Sequence, residues 1–198
     1  NILAIEAGIK NDVKSICKLI EKGNTKKIYI SNINDKKFFL MAGIGYDGDI
    51  VHKMKPSLKK IFGKAMFGFL GLLEFFKLKK YNIKVETESE TAFGNWVLVT
   101  NSKHYAGPYK ITKSTSIFND NIVCYVFNDL SRLGFLYYIF LIIFYGDLSR
   151  SKKVTKIISK NIKISSKEKI NVQCDGEKYG NLPIEINFSS ESVNLLTA

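Results

Sequence analysis

The sequence predicts an α+β fold that is mostly β, an antiparallel β-sandwich with two or three interspersed helices. Short strands recur at close spacing after Tyr81 and follow one another without intervening helices, which excludes a doubly wound α/β fold. The chain has 198 residues, of which 45% are hydrophobic and only 3 are Pro, so it can bury a substantial core. Intrinsic disorder, a collagen-like chain and a flexible string of domains are excluded.

Helix and turn signals mark the first part of the chain. Asn11–Asp12 can cap a helix that runs to about Lys22, and Gly23 stands where a C-terminal glycine belongs. The segment Gly43–Asp49 lacks the spacing of a phosphate-binding glycine loop and is predicted to be a strand-to-helix turn. Two strands and a further helix are predicted at Lys27–Ser31, Lys37–Ala42 and about Lys64–Lys79.

The remaining strands are predicted from alternation and from apolar runs. In Tyr81–Glu88, Ile83 and Val85 face one way and the charged residues between them face the other, as in a half-exposed strand. Further strands are predicted at Asn95–Asn101, Asn121–Phe127, Asn161–Ser165, Lys169–Cys174, Pro183–Phe188 and Val193–Leu196.

The longest apolar run is Leu133–Tyr145, which reads LGFLYYIFLIIFY. A transmembrane helix needs about 20 residues, so this run is too short to span a bilayer. A buried core helix is favoured. An interfacial helix stays open as the alternative, because Tyr and Phe are interleaved in the run and Arg150, Lys152 and Lys153 follow it closely.

The chain is strongly basic, with a net charge of +12 from 30 basic and 18 acidic residues. This balance favours anionic partners, and the composition of an AT-rich genome is the alternative explanation. Lysines concentrate in two segments, His52–Lys80 and Arg150–Lys169, each beside an apolar aromatic helix. These segments fit a membrane surface better than a nucleic-acid groove, where Arg is the commoner base-reading residue. No nucleic-acid partner is expected, because no motif for one is visible.

The three cysteines, Cys17, Cys124 and Cys174, are scattered along the chain. Their odd number and their spacing exclude a zinc site and a disulfide framework, and a reducing cytoplasm is the expected compartment. The sequence begins with Asn1 rather than Met and shows no signal peptide, so we expect a chain cut from a longer protein.

Two carboxylates, Asp175 and Glu177, flank Gly176 after an apolar strand. Asp-Gly is a common two-residue hairpin turn, and this explanation suffices for the pattern taken alone. The same carboxylates could carry acid–base or metal chemistry, because glycine lets a substrate approach the backbone.

A second constellation closes the long loop at Ile117–Ile122, where Asn119 and Asp120 suit an Asx-type turn. The functional alternative is a cation held by one carboxylate and neighbouring backbone carbonyls, since hard ions prefer oxygen ligands. Both explanations stay open at this point.

Four strings of residues follow one another in a distinctive order. They are AGIGYDGDIV at Ala42–Val51, Gly63-Lys64 opening a helix, NWVLVTNSKHYAGPYKITKSTSIFNDNIV at Asn95–Val123, and QCDGEKYGNLPIEI at Gln173–Ile186. Together they resemble the lipid kinase family of diacylglycerol kinases, sphingosine kinases and their bacterial relatives. The resemblance covers essentially the whole chain, and it depends on the order and spacing of the strings rather than on any one of them.

The resemblance implies an enzyme of two lobes, the N-terminal one binding ATP through a GGDGT motif that is absent from this sequence. Residues 1–36 would be a remnant of that lobe or its hinge, a helix plus the first strand. Residues 37–198 would be the β-rich C-terminal lipid-kinase domain. Asn1, which resembles the end of the family's GTxN segment, would be a remnant of the nucleotide site.

The resemblance also implies roles for individual residues. Asp175 would be the general base that activates the lipid hydroxyl, and Glu177 would assist at the phosphate or metal. Mg²⁺ would be held by the Asp120 carboxylate and the carbonyls of Ile117 and Ile122. Substrate and phosphate would lie near Gly43, Gly45, Asn101 and Gly107.

The expected function is the substrate-side lobe of an ATP-dependent lipid kinase that phosphorylates a diacylglycerol-like hydroxyl, with ATP and Mg²⁺ as cofactors. Its partners would be the lipid, an anionic membrane surface, and an N-terminal ATP-binding lobe or companion chain. It would lie in the cytoplasm, at the inner membrane surface, and be inactive alone. The alternative is a non-catalytic module that binds anionic membranes, left by a split or decayed kinase. The sequence departs from the family at three points. Ala106–Gly107–Pro108–Tyr109 replaces a glycine-rich stretch, Asp120-Asn121 replaces the Asp-Gly of the metal loop, and Tyr29 replaces a common Asp.

Overall fold

The computed structural model describes residues 2–10, 12–54 and 68–197, and shows them as two antiparallel sheets with helices at their sides. The strands are β1 (Thr25–Ile33), β2 (Lys36–Phe38), β3 (Met41–Ile44), β4 (Ile83–Glu86), β5 (Thr91–Gly94), β6 (Trp96–Thr100), β7 (His104–Tyr105), β8 (Tyr109–Lys110), β9 (Val123–Phe127), β10 (Val154–Ile158), β11 (Asn161–Ser165), β12 (Asn171–Cys174), β13 (Glu177–Asn181) and β14 (Ile184–Leu196). The helices are α1 (Ile2–Glu6), α2 (Val13–Lys22), α3 (Tyr46–Lys53), α4 (residues 68–76) and α5 (Arg132–Phe144).

The first sheet has the strand order β2-β1-β14-β11-β4-β5, and the second has the order β10-β9-β6-β3-β12-β13. Neighbouring strands pair in antiparallel fashion throughout both sheets, and β7 and β8 form a separate ribbon. The predicted mostly-β antiparallel sandwich with interspersed helices is therefore confirmed. Because β1 pairs with β14 along its length, the residues before position 36 contribute a strand to the first sheet. The division of the chain at residue 36 stays a prediction.

The main core lies between the two sheets, where alternate strand residues point inward. Its buried members come from both sheets, including Ile33, Ile162 and Ile186 from the first and Val97, Cys124 and Val172 from the second. Burial of one such aliphatic side chain contributes about 1.5–3 kcal/mol, so this layer holds the sheets together.

A second core covers the outer face of the second sheet. There Trp96 stacks on Phe127 with ring centroids 3.8 Å apart, and Phe127 meets Tyr138 of α5 at 4.9 Å. The prediction of a buried helix for this apolar run is only half right, because Leu133 is 81% exposed and Phe144 70% exposed. One side of α5 packs on the sheet and the other side faces outward. In the described ranges, no helix combines the length and the apolar content needed to cross a membrane.

The predicted start and end of the helix α2 are confirmed. Asp12 accepts a hydrogen bond from Ser15 N at 2.8 Å and so caps α2, and Gly23 ends the helix with φ 64°. Asn11, the other half of the predicted cap, lies outside the described residues. So do Asn1, Gly63-Lys64 and the lysines at positions 55, 59 and 60 of the first basic segment, whereas residues 68–76 of the predicted second helix are helical.

The prediction of one strand over Lys37–Ala42 is wrong. The structure has two strands there, β2 in the first sheet and β3 in the second, with a bend between them. The physical reason is a competing acceptor: the backbone N–H groups of Phe39, Leu40 and Met41 donate to the Asp175 side chain. A local apolar pattern cannot reveal a partner so distant in sequence.

Candidate active site

Asp175 and Gly176 form the two-residue turn between β12 and β13, whose flanking residues Cys174 and Glu177 pair directly. Both turn residues have positive φ, 49° at Asp175 and 81° at Gly176, as a type I′ hairpin requires. The predicted hairpin turn is therefore confirmed. Asp175 and Glu177 are both exposed, so the turn presents two carboxylates at the surface.

Backbone amides of the β2–β3 connection hold the Asp175 carboxylate. Oδ1 accepts from Leu40 N and Met41 N, both at 2.9 Å, and Oδ2 accepts from Phe39 N at 2.8 Å. A carboxylate offers about four acceptor positions, two on each oxygen. The fourth position therefore lies on Oδ2, where a substrate hydroxyl can donate.

Gly43 lies in β3 close to this turn, at a position where no larger residue fits. A Cβ at Gly43 would lie 2.6 Å from Asp47 Cβ and 2.7 Å from Gln173 Nε2. Gln173 Oε1 accepts from Gly176 N at 2.8 Å. The missing side chain thus leaves room for Gln173 to hold the turn.

Asn101 is linked to the Asp175 turn through Leu40. Its N–H donates to Leu40 O at 2.8 Å, on the residue whose own N–H donates to Asp175. Asn101 Oδ1 accepts from Ser31 Oγ at 3.1 Å, but its buried Nδ2 has no hydrogen-bond partner among the described residues. An unpaired buried donor requires an explanation, and an enclosed water would supply one.

Asp47 contacts three of the predicted segments, although no sequence signal marks it. It lies on α3 beside Gly43, its Oδ2 accepts from Trp96 Nε1 at 3.0 Å, and its Oδ1 accepts from Tyr105 OH at 2.5 Å. Tyr105 directly precedes the Ala106–Gly107 loop. Asp47 therefore connects the turn at Asp175, by way of Gly43 and Gln173, to that loop.

Burial raises the pKa of Asp47 to about 6, an effect that its two hydrogen-bond donors only partly offset. The native state then holds this proton more tightly than the unfolded state, so acidification from about pH 7 to pH 5 stabilises the fold at this residue. We expect the free energy of unfolding of the wild type to rise by about 1 kcal/mol relative to Asp47→Asn over that range. Denaturant titrations at the two pH values measure it, and parallel pH dependences of the two proteins would contradict it.

Asp49 holds the other side of α3. Its Oδ2 accepts from Tyr81 OH at 2.6 Å and its Oδ1 accepts from Asn171 Nδ2 at 2.7 Å. Gly45, with φ 84°, begins the helix and donates its N–H to Asn171 O at 3.1 Å. The predicted strand-to-helix turn is confirmed, but most of its residues are helical, and their acidic side chains are buried rather than solvated.

Gly107 occupies the β7–β8 loop with φ 110°, a conformation that favours glycine. A Cβ there would have no atom within 4 Å among the residues that the structure describes. Pro108 and Tyr109 beside it are exposed. The loop is therefore shaped by Gly107 and fixed at its base by the Tyr105–Asp47 hydrogen bond.

The predicted metal loop packs on β1 of the first sheet. Ile117 O accepts from Tyr29 N at 3.2 Å, and Lys26 Nζ lies 5.6 Å from the centre of the Phe118 ring. Asp120 is exposed, whereas Ile117 and Ile122 are buried and can offer only their carbonyl oxygens. The loop therefore packs on the first sheet, whereas the Asp175 turn belongs to the second sheet.

An orphaned oxygen supports the suitability of this loop for a hard cation. Asn121 Nδ2 donates to Ser114 O at 3.2 Å, which turns Oδ1 inward, and that buried oxygen has no hydrogen-bond partner in the described chain. This oxygen, the Asp120 carboxylate and the carbonyls of Ile117 and Ile122 all belong to the oxygen type of ligand that Mg²⁺ prefers. Among the described residues no cluster of three or more His, Cys, Asp or Glu could hold a metal ion.

A buried cluster of hydrogen bonds around Glu6 fastens α1 to the chain just after β6, where Asn101 lies. Glu6 Oε1 accepts from Ser102 Oγ at 2.6 Å, from Lys103 N at 2.8 Å and from His104 Nδ1 at 2.8 Å. Sequence reasoning missed this cluster because nearly a hundred residues separate its members. The hydrogen bonds from Glu6 fix the chain where β7 begins.

Comparison with known proteins identifies the family of this chain. Residues 41–197 match the family described as the YegS C-terminal NAD kinase beta sandwich-like domain. The chain belongs to this family, the C-terminal domain of the diacylglycerol and lipid kinases. The suspected family resemblance is confirmed.

Individual relatives agree with this assignment. The chain is 25% identical over 88% of its length to a protein of Staphylococcus aureus named "Diacylglycerol kinase", and 27% identical over its whole length to a "Putative lipid kinase" of Streptococcus pneumoniae. A solved structure of a diacylglycerol kinase from Bacillus anthracis superposes with a TM-score of 0.75 over 95% of the chain, at 19% identity, which shows a shared fold. The chain spans 56%, 66% and 62% of these three proteins.

Proposed function

We propose that the chain is the substrate-side lobe of an ATP-dependent lipid kinase, and that its acceptor is a diacylglycerol-like hydroxyl. The observation that carries this proposal is the Asp175 turn, an exposed carboxylate held by three backbone amides with one acceptor position left. The names of the staphylococcal and streptococcal relatives support the substrate class. ATP would be held by an N-terminal lobe or a companion chain.

Asp175 would orient the lipid hydroxyl and then take its proton. Phosphoryl transfer passes through a loose transition state, so catalysis depends mainly on positioning and on stabilising charge. A carboxylate fixed at three points keeps its open position on Oδ2 in one place. The hydroxyl that donates there would be aimed at the γ-phosphate of bound ATP. Its proton would move to Oδ2 as the new P–O bond forms, while the bond between the γ-phosphorus and the bridging oxygen breaks and ADP leaves.

The other predicted site residues would act around this turn. Glu177 would assist at the phosphate or its metal, and Asn101, whose N–H donates to Leu40 O, would support the substrate-facing turn from behind. Gly43 allows Asp47 of α3 and Gln173 to approach closely, and Gly45 leaves room for the Asn95 backbone and the Tyr81 ring. Gly107 would shape the path by which lipid reaches the hydroxyl-binding position.

ATP supplies the phosphoryl group, and its accompanying Mg²⁺ supplies charge neutralisation when both are bound. A second Mg²⁺ would order the loop that packs on β1, through Asp120 and the carbonyls of Ile117 and Ile122. The orphaned Asn121 Oδ1 would be a further oxygen donor there.

The Mg²⁺ site in the loop has a test that needs no enzyme activity. We expect Mg²⁺ to raise the thermal midpoint of the wild type by about 3 °C relative to EDTA, because the ion binds only the folded loop. Asp120→Asn should remove the effect, and Asp35→Asn, in another exposed turn, should retain it. Equal responses of all three proteins would contradict the assignment.

The function itself is tested by lipid phosphorylation with and without the missing lobe. We expect the chain alone to give no labelled lipid from radiolabelled ATP and diacylglycerol, and the chain with an ATP-binding lobe of the family to give labelled phosphatidic acid. Failure of the combined protein, when both parts are folded, would sink the proposal.

The alternative function is a non-catalytic module that binds anionic membranes. One observation favours it: Tyr29, where the family commonly has Asp, packs on the Phe188 ring at 5.6 Å and brings no carboxylate. Vesicle binding that persists without nucleotide, together with inactivity beside a complementing lobe, would favour this alternative.

A further inference from the structure

The outward side of α5 is an apolar stripe. Its exposed residues recur at helical spacing along the whole helix, so they share one face. They are Leu133, Leu136, Tyr137, Phe140, Ile143 and Phe144. Large exposed apolar patches of this kind mark interaction surfaces in soluble proteins.

The neighbouring helix α4 also has an exposed apolar side. Phe69, Leu72, Leu73 and Phe76 are exposed at the same helical spacing. The helices touch at one end, where Arg132 Nη2 donates to Phe76 O at 3.3 Å and Phe75 meets Phe135 with ring centroids 5.6 Å apart. We call the outward faces of α4 and α5 together the helical face.

Cations lie along the edge of the helical face. An open cavity of about 550 Å³ lies beside the first half of α5, and its lining combines Leu133 and Tyr137 with Arg150, Lys152 and Lys153. The Arg150 guanidinium lies 4.1 Å from the centre of the Tyr145 ring, so it stays at the aromatic edge. Apolar insertion beside fixed cations is the pattern that anionic bilayers attract.

Two carboxylates near the helical face are paired with lysines. Asp129 accepts from Lys153 Nζ at 2.6 Å, and Glu74, buried on α4, accepts from Lys53 Nζ at 2.5 Å. Arg132, Arg150 and Lys152 add their charges at the same edge, and all three are exposed. The edge is therefore net positive, which is complementary to acidic lipid and opposed to a basic partner.

We propose that the helical face docks on an anionic phospholipid bilayer, with its aromatic and aliphatic side chains inserted among the lipids and a lipid phosphate in the basic cavity. The inference deepens the proposed function and rests on it for the identity of the partner as a lipid surface. The far end of α5 supports the link, because Ile142 and Ile143 line a second, smaller cavity with Pro108 and Tyr109 of the Gly107 loop. Docking along α5 would bring the bilayer to that loop.

The test is co-sedimentation with phosphatidylcholine vesicles that contain phosphatidylglycerol, compared with phosphatidylcholine alone, without ATP. We expect binding to the acidic vesicles that weakens with added salt. The double variant Phe76→Ser/Phe144→Ser should bind about tenfold more weakly, because it removes two inserted rings. Phe93→Ser is the matched control, since Phe93 is 57% exposed on β5 of the other sheet and Phe76 is 59% exposed.

A charge variant tests the cavity separately. Arg150→Gln/Lys152→Gln should lose most of the preference for acidic vesicles, whereas Lys26→Gln/Lys27→Gln, with the same change in net charge on β1, should keep it. Equal loss in both would mean nonspecific attraction and would overturn the proposal. So would a change of Phe76→Ser/Phe144→Ser from dimer to monomer with unaltered vesicle binding, because the face would then be an interface between copies.

Docking and catalysis can fail independently in these experiments. Activity of the chain with its ATP-binding lobe on diacylglycerol in detergent micelles needs no bilayer. Micellar activity without vesicle binding overturns the docking surface alone, and vesicle binding through the helical face without micellar activity overturns the kinase alone.

Discussion

Asp175→Asn, in the chain combined with its ATP-binding lobe, is expected to lower kcat for lipid phosphorylation by about a thousandfold. The amide cannot take the proton of the hydroxyl at the position that Oδ2 offers. In the wild type the N–H of Phe39 donates to Oδ2 at 2.8 Å. In the variant an NH₂ group at that position would face this N–H. Initial rates on diacylglycerol micelles measure the effect.

The scaffolding role of Asp175 must be separated from its role as a base. Loss of one charge-assisted hydrogen bond should cost about 1.5–3 kcal/mol of stability, which leaves a folded protein. Asp35→Asn, in the exposed β1–β2 turn, is the control and should keep wild-type kcat. A folded Asp175→Asn enzyme with near wild-type kcat would show that the carboxylate is only structural.

Gly48→Ala should have the largest effect on stability. A Cβ at Gly48 would lie 2.0 Å from Asn171 O and 2.5 Å from Asn171 C, both backbone atoms. Helix α3 would have to move off β12, which breaks the bonds that Asn171 makes with Gly45 and Asp49. We expect the free energy of unfolding to fall by about 3 kcal/mol or more.

A second glycine provides the control for this experiment. Gly68 is also helical, and a Cβ there would have no atom of the described residues within 4 Å. Gly68→Ala should therefore stabilise the protein by up to about 1 kcal/mol, through helix propensity alone. Urea titrations of both variants measure the difference, and equal stabilities would contradict the close packing of α3 on β12.

Local patterns predicted much of the fold because their causes are local. Alternation in Ile83–Glu86 and the cap at Asp12 depend on neighbouring residues, and both are confirmed. The predictions at Pro183–Phe188 and Val193–Leu196 divided what is one strand, β14, because the polar residues between them resemble a break. In the structure Ser192 pairs with Tyr29, and the other three lie at a bulge in the pairing with β1. Strands β5, β10 and β13 were missed since their residues carry no clear apolar alternation and are fixed by their neighbours.

The candidate site was predictable where a short string carries it. Asp175-Gly176 is a turn signal in itself, and the structure confirms the turn. Asp47 and Asp49 gave no such signal, because acidic residues beside glycines are ordinarily exposed in loops. Their burial depends on Trp96 and Tyr81, hydrogen-bond donors that only the folded chain brings near.

The environment of α5 could not be predicted from its sequence either. Composition and length predicted one apolar helix and left its environment open between core and interface. The structure gives each side of α5 a different environment, with Tyr138 in the second core and Leu133 outward. That division depends on the placement of the second sheet, which the helix sequence does not contain.

Transfer of the γ-phosphoryl group from radiolabelled ATP to diacylglycerol, by this chain combined with an ATP-binding lobe, tests the central claim most directly. We predict label in the lipid extract as phosphatidic acid, with transfer lost on Asp175→Asn and retained on Asp35→Asn. A folded, ATP-binding combination that leaves the lipid unlabelled would contradict the claim.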